Sequence, residues 1–519
     1  MRHSFRLILG LILVSIFGAW PTLKASLPGI PGGVWQTTNS MAGPRTGAGA
    51  VRLLDGRILI TGGDGAGILS TTEVYNTDGS FFGAAPMSGA RSRHASVLLS
   101  DGRVLAMGGI DQDGFILSSA EVYDPVADAW SEVPSGMTEP RLNHTATLLD
   151  DGRVLVAGGE NEDGTSSTLE FYDPDDNRFA GSAASMSSRR SAHVAARLKD
   201  GRVLIAGGSD GNVVVGSADL YDAVDDAIQP APGMATPRAG HSATRLLDDR
   251  ILVVGGSTGQ TDLATAEIYH ADATAVELSG SSLATARRSH LSFLLPANNS
   301  VLIVGGVAGG ADVASTELYT PWNDLFTPTG SLSVPRTGAV GAPASRHGLL
   351  LVAGGSGHRS AELYGYASLE TDYDDYAPGD TVFIAGSGWE PGEAVTLILH
   401  EEPTTHHDEI FYATADGSGD FVNDEYSPEQ HDLGVRYYLL AIGSCSEAQI
   451  TFSDAAQPTM TTLTSTNPSP SAYGPVGTLT ATVTRISGGS TPNCGTVTFK
   501  NNGTDFATVA LTSSNVATT

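Results

Sequence analysis

A glycine pair returns seven times along this chain, at Gly62-Gly63, Gly108-Gly109, Gly158-Gly159, Gly207-Gly208, Gly255-Gly256, Gly305-Gly306 and Gly354-Gly355. The intervals are 46, 50, 49, 48, 50 and 49 residues. In the third unit the pair closes a short apolar run opened by an Asp-Gly turn, DDGRVLVAGG at 150–159. An acid two places before a tyrosine follows every pair: Glu73/Tyr75, Glu121/Tyr123, Glu170/Tyr172, Asp219/Tyr221, Glu267/Tyr269, Glu317/Tyr319 and Glu362/Tyr364. A unit of this size cannot bury its apolar face alone, so it must stack on its neighbours. Strand-like content at a period near fifty predicts an all-β fold, a propeller with one sheet per unit.

The third unit shows how one sheet is written. RLNHTATLL at 141–149 predicts an inner strand, Asp151-Gly152 a hairpin turn, RVLVAGG a second strand and STLEFYDP a third, with a weaker fourth near 177–184. The second strand is almost wholly apolar, as expected where both faces are covered. Gly158 and Gly159 then permit positive φ or close backbone packing where a side chain would clash.

A Gly doublet, a following Tyr and a later Trp, as in Gly108-Gly109, Tyr123 and Trp130, resemble the kelch repeat. The resemblance covers roughly residues 34–366 and implies seven four-stranded blades, with a propeller domain at 26–366. VWQTTNSM at 34–41 precedes the first unit, whereas the seventh stops after Glu362-Leu363-Tyr364 without a fourth strand. The N-terminal strand is therefore expected to complete the seventh sheet, closing the ring and removing an open edge.

Arg91, Arg141, Arg190, Arg238 and Arg287 are each followed three residues later by His, as in Arg141/His144, while Arg45 and Arg336 are followed by Ala48 and Ala339. Residues needed in every unit serve the unit. Arg is expected to pair with the repeated acid, and His to hydrogen-bond near the start of the inner strand. The units differ in the loops after the Gly pairs. Those loops are acidic in units two to four, with Asp111, Asp113, Glu160, Glu162, Asp163 and Asp210. This arc is the candidate binding face, suited to a cationic partner or to Ca²⁺; otherwise it is a solvated rim.

The ends of the chain read differently. Arg2 and Arg6 precede an apolar run from Leu7 to Trp20 and the small residue Ala25, the pattern of a secretory signal peptide over 1–25. That run is short for a membrane span of about 20 residues, and no transmembrane segment is expected elsewhere. Residues 367–456 alternate apolar and polar residues between Pro-Gly turns and resemble an immunoglobulin-like β-sandwich. After a linker rich in Pro, Ser and Thr, 457–519 resembles a second bacterial immunoglobulin-like domain, expected to be incomplete at Thr519, with further modules or a sorting signal beyond it. Trp389 is expected in a core or at a rim rather than as a sugar platform. His400, His406, His407 and Asp408 match no strong metal motif. The two cysteines, Cys445 and Cys494, leave open a bridge between domains, free thiols or intermolecular pairing.

A formal charge of -29 argues against a nucleic-acid partner. A kelch propeller followed by an immunoglobulin-like domain also resembles galactose oxidase, a family that implies copper held by Tyr and His with a Tyr-Cys crosslink. Tyr269-His270 is an adjacent pair, but the repeats contain no cysteine to crosslink. No Asp-box, nucleophile elbow, zinc-protease helix or phosphate loop appears. The expectation is a secreted or extracellular, non-catalytic binding or adhesion protein without a resident cofactor. Its loop face would meet an extracellular protein or polysaccharide.

Overall fold

The structure, a computed structural model, describes residue 30, residues 32–454 apart from 345–347, 378, 405 and 430–433, and beyond them the backbone of five strands. The signal-peptide segment 1–25 and Cys494 lie outside the described residues.

Between Trp35 and Gly365 seven four-stranded antiparallel sheets follow one another, one per glycine pair. The third consists of Thr145–Leu148, Val154–Ala157, Thr168–Asp173 and Arg178–Ser185, hydrogen-bonded in chain order. The second strand of each sheet is completely buried, because sheets on either side cover its two faces. Thus Leu105 and Met107 of sheet two share a core with Val154, Val156 and Tyr172 of sheet three. The fourth strands carry the exposed positions.

The seventh sheet takes its outer strand from the other end of the chain. Trp35–Thr37 pairs with the third strand, Trp35 opposite Tyr364 and Thr37 opposite Glu362. Ile58 and Ile60 of sheet one share a core with Leu351 and Ala353 of sheet seven. One residue per unit, just before the inner strand, has a left-handed backbone: Gly47, Arg93, Asn143, Ala192, Gly240, Ser289 and Gly338, with φ between 49° and 63°. Hydrogen bonds link several of these residues from sheet to sheet, Arg93 N to Gly47 O at 2.8 Å and Ser289 N to Gly240 O at 2.7 Å. Gly47 N donates to Gly338 O at 2.9 Å, joining sheet one to sheet seven.

Residues 368–454 form two sheets on one core. Ser368–Thr371, Val382–Ser387 and Phe421–Tyr426 face Glu409–Thr414, Ala394–Glu402, Val435–Ile442 and Glu447–Asp454. Ile384, Leu397, Tyr437 and Trp389 fill the space between them. Trp389 is 2% exposed with its ring 5.6 Å from Phe421, so it is a core residue.

This sandwich docks on the first hairpin turn of sheet six. Units one to five carry Asp-Gly-Arg or Asp-Asp-Arg there, whereas unit six has Ala297-Asn298-Asn299-Ser300. Asn298 Nδ2 donates to Ala367 O at 2.7 Å and Glu447 O at 2.8 Å, and Asn299 Nδ2 donates to Gln449 Oε1 at 2.7 Å. Trp322 Nε1 adds a bond to Glu447 Oε2 at 3.0 Å. Further along, Thr459–Ser465, Leu479–Arg485 and Val516–Thr518 pair in one sheet, and Thr496–Asn501 pairs with Thr504–Ala510.

Candidate functional site

Most of the recurrent polar residues are consumed inside the array. Arg141 lies against Glu170, with Nη2 and Nε at 2.8 and 3.1 Å from Oε1, both side chains at most 1% exposed. Arg141 Nη1 also donates to Gly158 O at 2.7 Å. The second carboxylate oxygen of Glu170 accepts from Thr138 N at 2.6 Å, which ties down the crossing from sheet two. The same buried pair occurs in every sheet, as Arg45–Glu73, Arg91–Glu121, Arg190–Asp219, Arg238–Glu267, Arg287–Glu317 and Arg336–Glu362.

The first glycine of each pair faces the next sheet. A Cβ on Gly158 would lie 2.4 Å from Arg190 O and 2.9 Å from His193 Cε1, at a φ of +58°. Gly159 is as confined, with the His144 Cβ 2.8 Å from where its own would be. Backbone, imidazole and methionine methyl thus close on the first glycine towards the next sheet, and the inner-strand start of its own sheet closes on the second, which is why the doublet recurs.

His94, His144, His193, His241 and His290 all sit in these seams and are at most 9% exposed. Burial, with the neighbouring Arg second, lowers each from the ordinary imidazole value to about 3. Their expected hydrogen bonds are only partly present. His193 Nε2 meets Thr145 Oγ1 at 3.0 Å, His290 meets Ser242 Oγ at 2.9 Å and His94 meets Thr61 Oγ1 at 2.8 Å. Among the described residues His144 and His241 have no hydrogen-bond partner on either ring nitrogen. The hydroxyl used by His193 and His290 comes from the first residue of the preceding inner strand. For His144 and His241 that residue is Ala95 or Val194, which has none.

The repeat tyrosines are also turned inward. Tyr172 OH donates to Asn177 Oδ1 at 2.8 Å and Tyr123 OH to Asp128 Oδ1 at 2.8 Å, bracing the turn between third and fourth strands. Tyr269, buried, donates to Pro232 O at 2.9 Å. His270 begins the turn on the side of the sheet away from the Gly-pair loops, 3.8 Å from Glu277. Burial raises the Tyr269 phenol above its usual range. The pair therefore does not fit a copper site at the loop face. Among the described residues no three of His, Cys, Asp and Glu converge to hold a metal ion. In the sandwich, His400 pairs with Asp408 at 2.8 Å and His406 with Glu401 at 3.2 Å, as separate couples.

The acidic loops lie on the opposite face and are not alike. Asp111 Oδ1 accepts from Asp113 N at 3.0 Å and Phe115 N at 2.9 Å, so this carboxylate holds its own turn. Asp210 Oδ1 accepts from Val213 N and Asn212 N, both at 2.8 Å, and those bonds hold its carboxyl below the usual range. Glu160 belongs to a two-residue strand paired with Gly164–Thr165, with Oε1 3.5 Å from Asn143 Nδ2. Asp113, Glu162 and Asp163 project freely. Two apolar residues that the sequence reading passed over stand at the loop tips, Phe115 at 61% exposed and Val213 at 59%. Their signal was a large apolar residue directly after a polar turn, in QDGF and DGNV.

Beside the arc, the loops of sheets four, five and six surround a cleft of about 950 Å³. Ala192, Gly240 and Ser289, three of the left-handed residues, lie along it, with Val214, Gln260 and Gly310. Arg288 also lines it; its Nη1 meets Asp262 Oδ1, while Gly309 N donates to Asp262 Oδ2 at 2.9 Å.

Residues 91–137 match the family model of the Kelch motif. A fungal alcohol oxidase of the AA5 family, solved in complex with copper, shares the fold at a TM-score of 0.55 and 17% identity, over 82% of this chain and 99% of its own. YjhT is 18% identical over 56% of this chain and 99% of its own, at a TM-score of 0.45. No curated protein matches. These findings support a kelch-type β-propeller fold for the array. Each Arg–acid pair joins the inner-strand start to the third strand of its own blade, and each His packs across a seam between blades.

Proposed function

We propose that this chain is an extracellular binding or adhesion scaffold, a seven-bladed kelch propeller whose loop face takes a protein or carbohydrate ligand and whose immunoglobulin-like sandwich is its mount. The observation that carries this reading is the division of labour among polar residues. The Arg, acid and Tyr that recur in every blade, and the His of five blades, are buried in pairs and seams. The free carboxylates, the exposed Phe115 and Val213 and the open cleft gather on the loop face. Exposed aromatic and apolar anchors ringed by charge are the composition of a recognition surface. The sandwich meets the opposite, turn-bearing face, through Asn298 and Asn299, and leaves the loops uncovered.

The copper-oxidase reading has fold similarity in its favour and side-chain placement against it. Tyr269 is spent on Pro232 O, and His270 lies at the turn end of its blade. Fold alone does not carry a reaction. The deciding experiment is a glycan array and a pull-down with the full chain, repeated with a variant carrying Phe115→Ser and Val213→Ser. Binding lost in the variant supports the loop face; peroxide production by copper-loaded protein supports the oxidase instead.

A further inference from the structure

The cleft between blades four, five and six has a composition that selects its ligand. Its walls are glycine, alanine, serine, threonine and glutamine with the charged pair Asp262 and Arg288, and Val214 is the largest apolar residue. A peptide would need an apolar pocket for an anchor side chain or a free strand edge to pair with. Neither is offered. The backbone along the floor is already bonded, Ala239 N to Ser257 O at 3.0 Å and Arg288 N to Val307 O at 3.0 Å.

Hydrogen-bond donors, by contrast, are left over. Asp262 is 8% exposed and both its oxygens are engaged, by Arg288 Nη1 and Gly309 N. Arg288 is 39% exposed, and among the described residues its Nε and Nη2 have no partner. Gln260 and Ser289, both exposed, likewise have no side-chain partner among the described residues. A guanidinium anchored at one nitrogen presents the rest of its planar fork to a carboxylate. An amide and a hydroxyl beside it suit hydroxyl groups. The cleft is open, and its volume of about 950 Å³ leaves room for a short oligosaccharide.

We propose that this cleft is a saccharide site for a sugar carboxylate, with Arg288 on the carboxylate and Ser289 and Gln260 on ring hydroxyls. The proposal rests on the loop face being a binding face and adds the ligand class. Asp262 acts as a positioning residue, holding the guanidinium against the blade. The net charge of -29 disfavours a long polyanion, while a short acidic sugar is spared most of that repulsion beyond about 10 Å by salt.

The test is calorimetry on the full chain with trigalacturonate, the uncharged trimethyl ester and a tri-glutamate peptide. Trigalacturonate should bind, the ester at least tenfold more weakly, and the peptide not at all. Arg288→Gln should weaken trigalacturonate at least tenfold, Arg288→Lys less, and Val214→Trp should block the cleft, with melting temperatures reporting the fold of each variant. Equal binding of ester and acid, binding unchanged in both Arg288→Gln and Val214→Trp, preference for the peptide, or no trigalacturonate binding would each overturn the proposal. Ligand capture that is lost in the Phe115 and Val213 variant but retained in Val214→Trp would leave the loop-face reading standing while this site fell.

Discussion

Lowering the pH from 7.5 to 5.5 should remove a large part of the propeller's stability, through five imidazoles. His94, His144, His193, His241 and His290 are held neutral in the folded chain, each with its pKa lowered from the ordinary 6.5 to about 3, chiefly by burial. In the unfolded chain they take up protons as the pH falls through that ordinary value. Stability is therefore unaffected above it and declines between it and about 3, because the unfolded state binds more protons. At pH 5.5 the cost is about 1.4 kcal/mol for each ring and about 7 for the five. A typical domain has about 5–15 kcal/mol in all. Carboxylates that are held below the usual range, such as Asp210, exert their effect at lower pH and do not obscure this window.

Urea unfolding at a series of pH values, followed by tryptophan fluorescence, gives the slope of stability against pH and hence the protons taken up. About five should appear near pH 5. His144→Ala places in blade three the residue that blades one and seven already have, Ala48 and Ala339. It should reduce the uptake by one while costing a cavity at pH 7.5. An uptake of one proton or fewer, or an unchanged uptake in His144→Ala, would refute the assignment of these rings as neutral seam residues.

Three further outcomes follow from the same geometry. Glu170→Ala leaves Arg141 buried without its carboxylate and should lower stability by about 3–5 kcal/mol, with ligand binding unchanged at temperatures where the variant is folded; unaltered melting with binding abolished would make the pair functional. Deleting residues 26–41 removes the strand that pairs Trp35 with Tyr364 and exposes the edge of blade seven, so the variant should melt earlier and self-associate by light scattering. Converting Asp113, Glu162 and Asp163 to Asn or Gln should slow association with a cationic partner and flatten its salt dependence, with the melting temperature unmoved.

The recurrent parts of this molecule were legible because each is demanded by a local packing problem that every blade repeats. The Gly doublet, the Arg and the acid are fixed by contacts within a blade or to the next one, so a period near fifty carries them. For His144, His193, His241 and His290, whether the ring has a hydrogen-bond partner follows one residue about 48 positions earlier, Thr145 for His193 but Ala95 for His144, and the motif itself is silent about that position. The departures are harder still. Unit six visibly lacks its Asp-Gly-Arg turn, yet the purpose of Asn298 and Asn299 becomes plain only when Glu447 and Gln449, some 150 residues away, are brought against them.

The cleft is the extreme case, since apart from Gln260, Asp262 and Arg288 its walls are small residues and Val214, without chemical signature, contributed by three blades. What distinguishes it is what those residues lack. Where one blade loop presents Phe115 and its neighbours carboxylates, the loops of blades five and six present glycine, threonine and alanine, and so leave space in front of Arg288. Several left-handed residues are hydrogen-bonded from sheet to sheet and each Arg–acid pair is buried within its own blade, so the loops can vary without disturbing either. On the proposed reading, recognition would be set by which blades fill the face and which vacate it, and the vacated sector carries the partly exposed Arg288 beside Asp262.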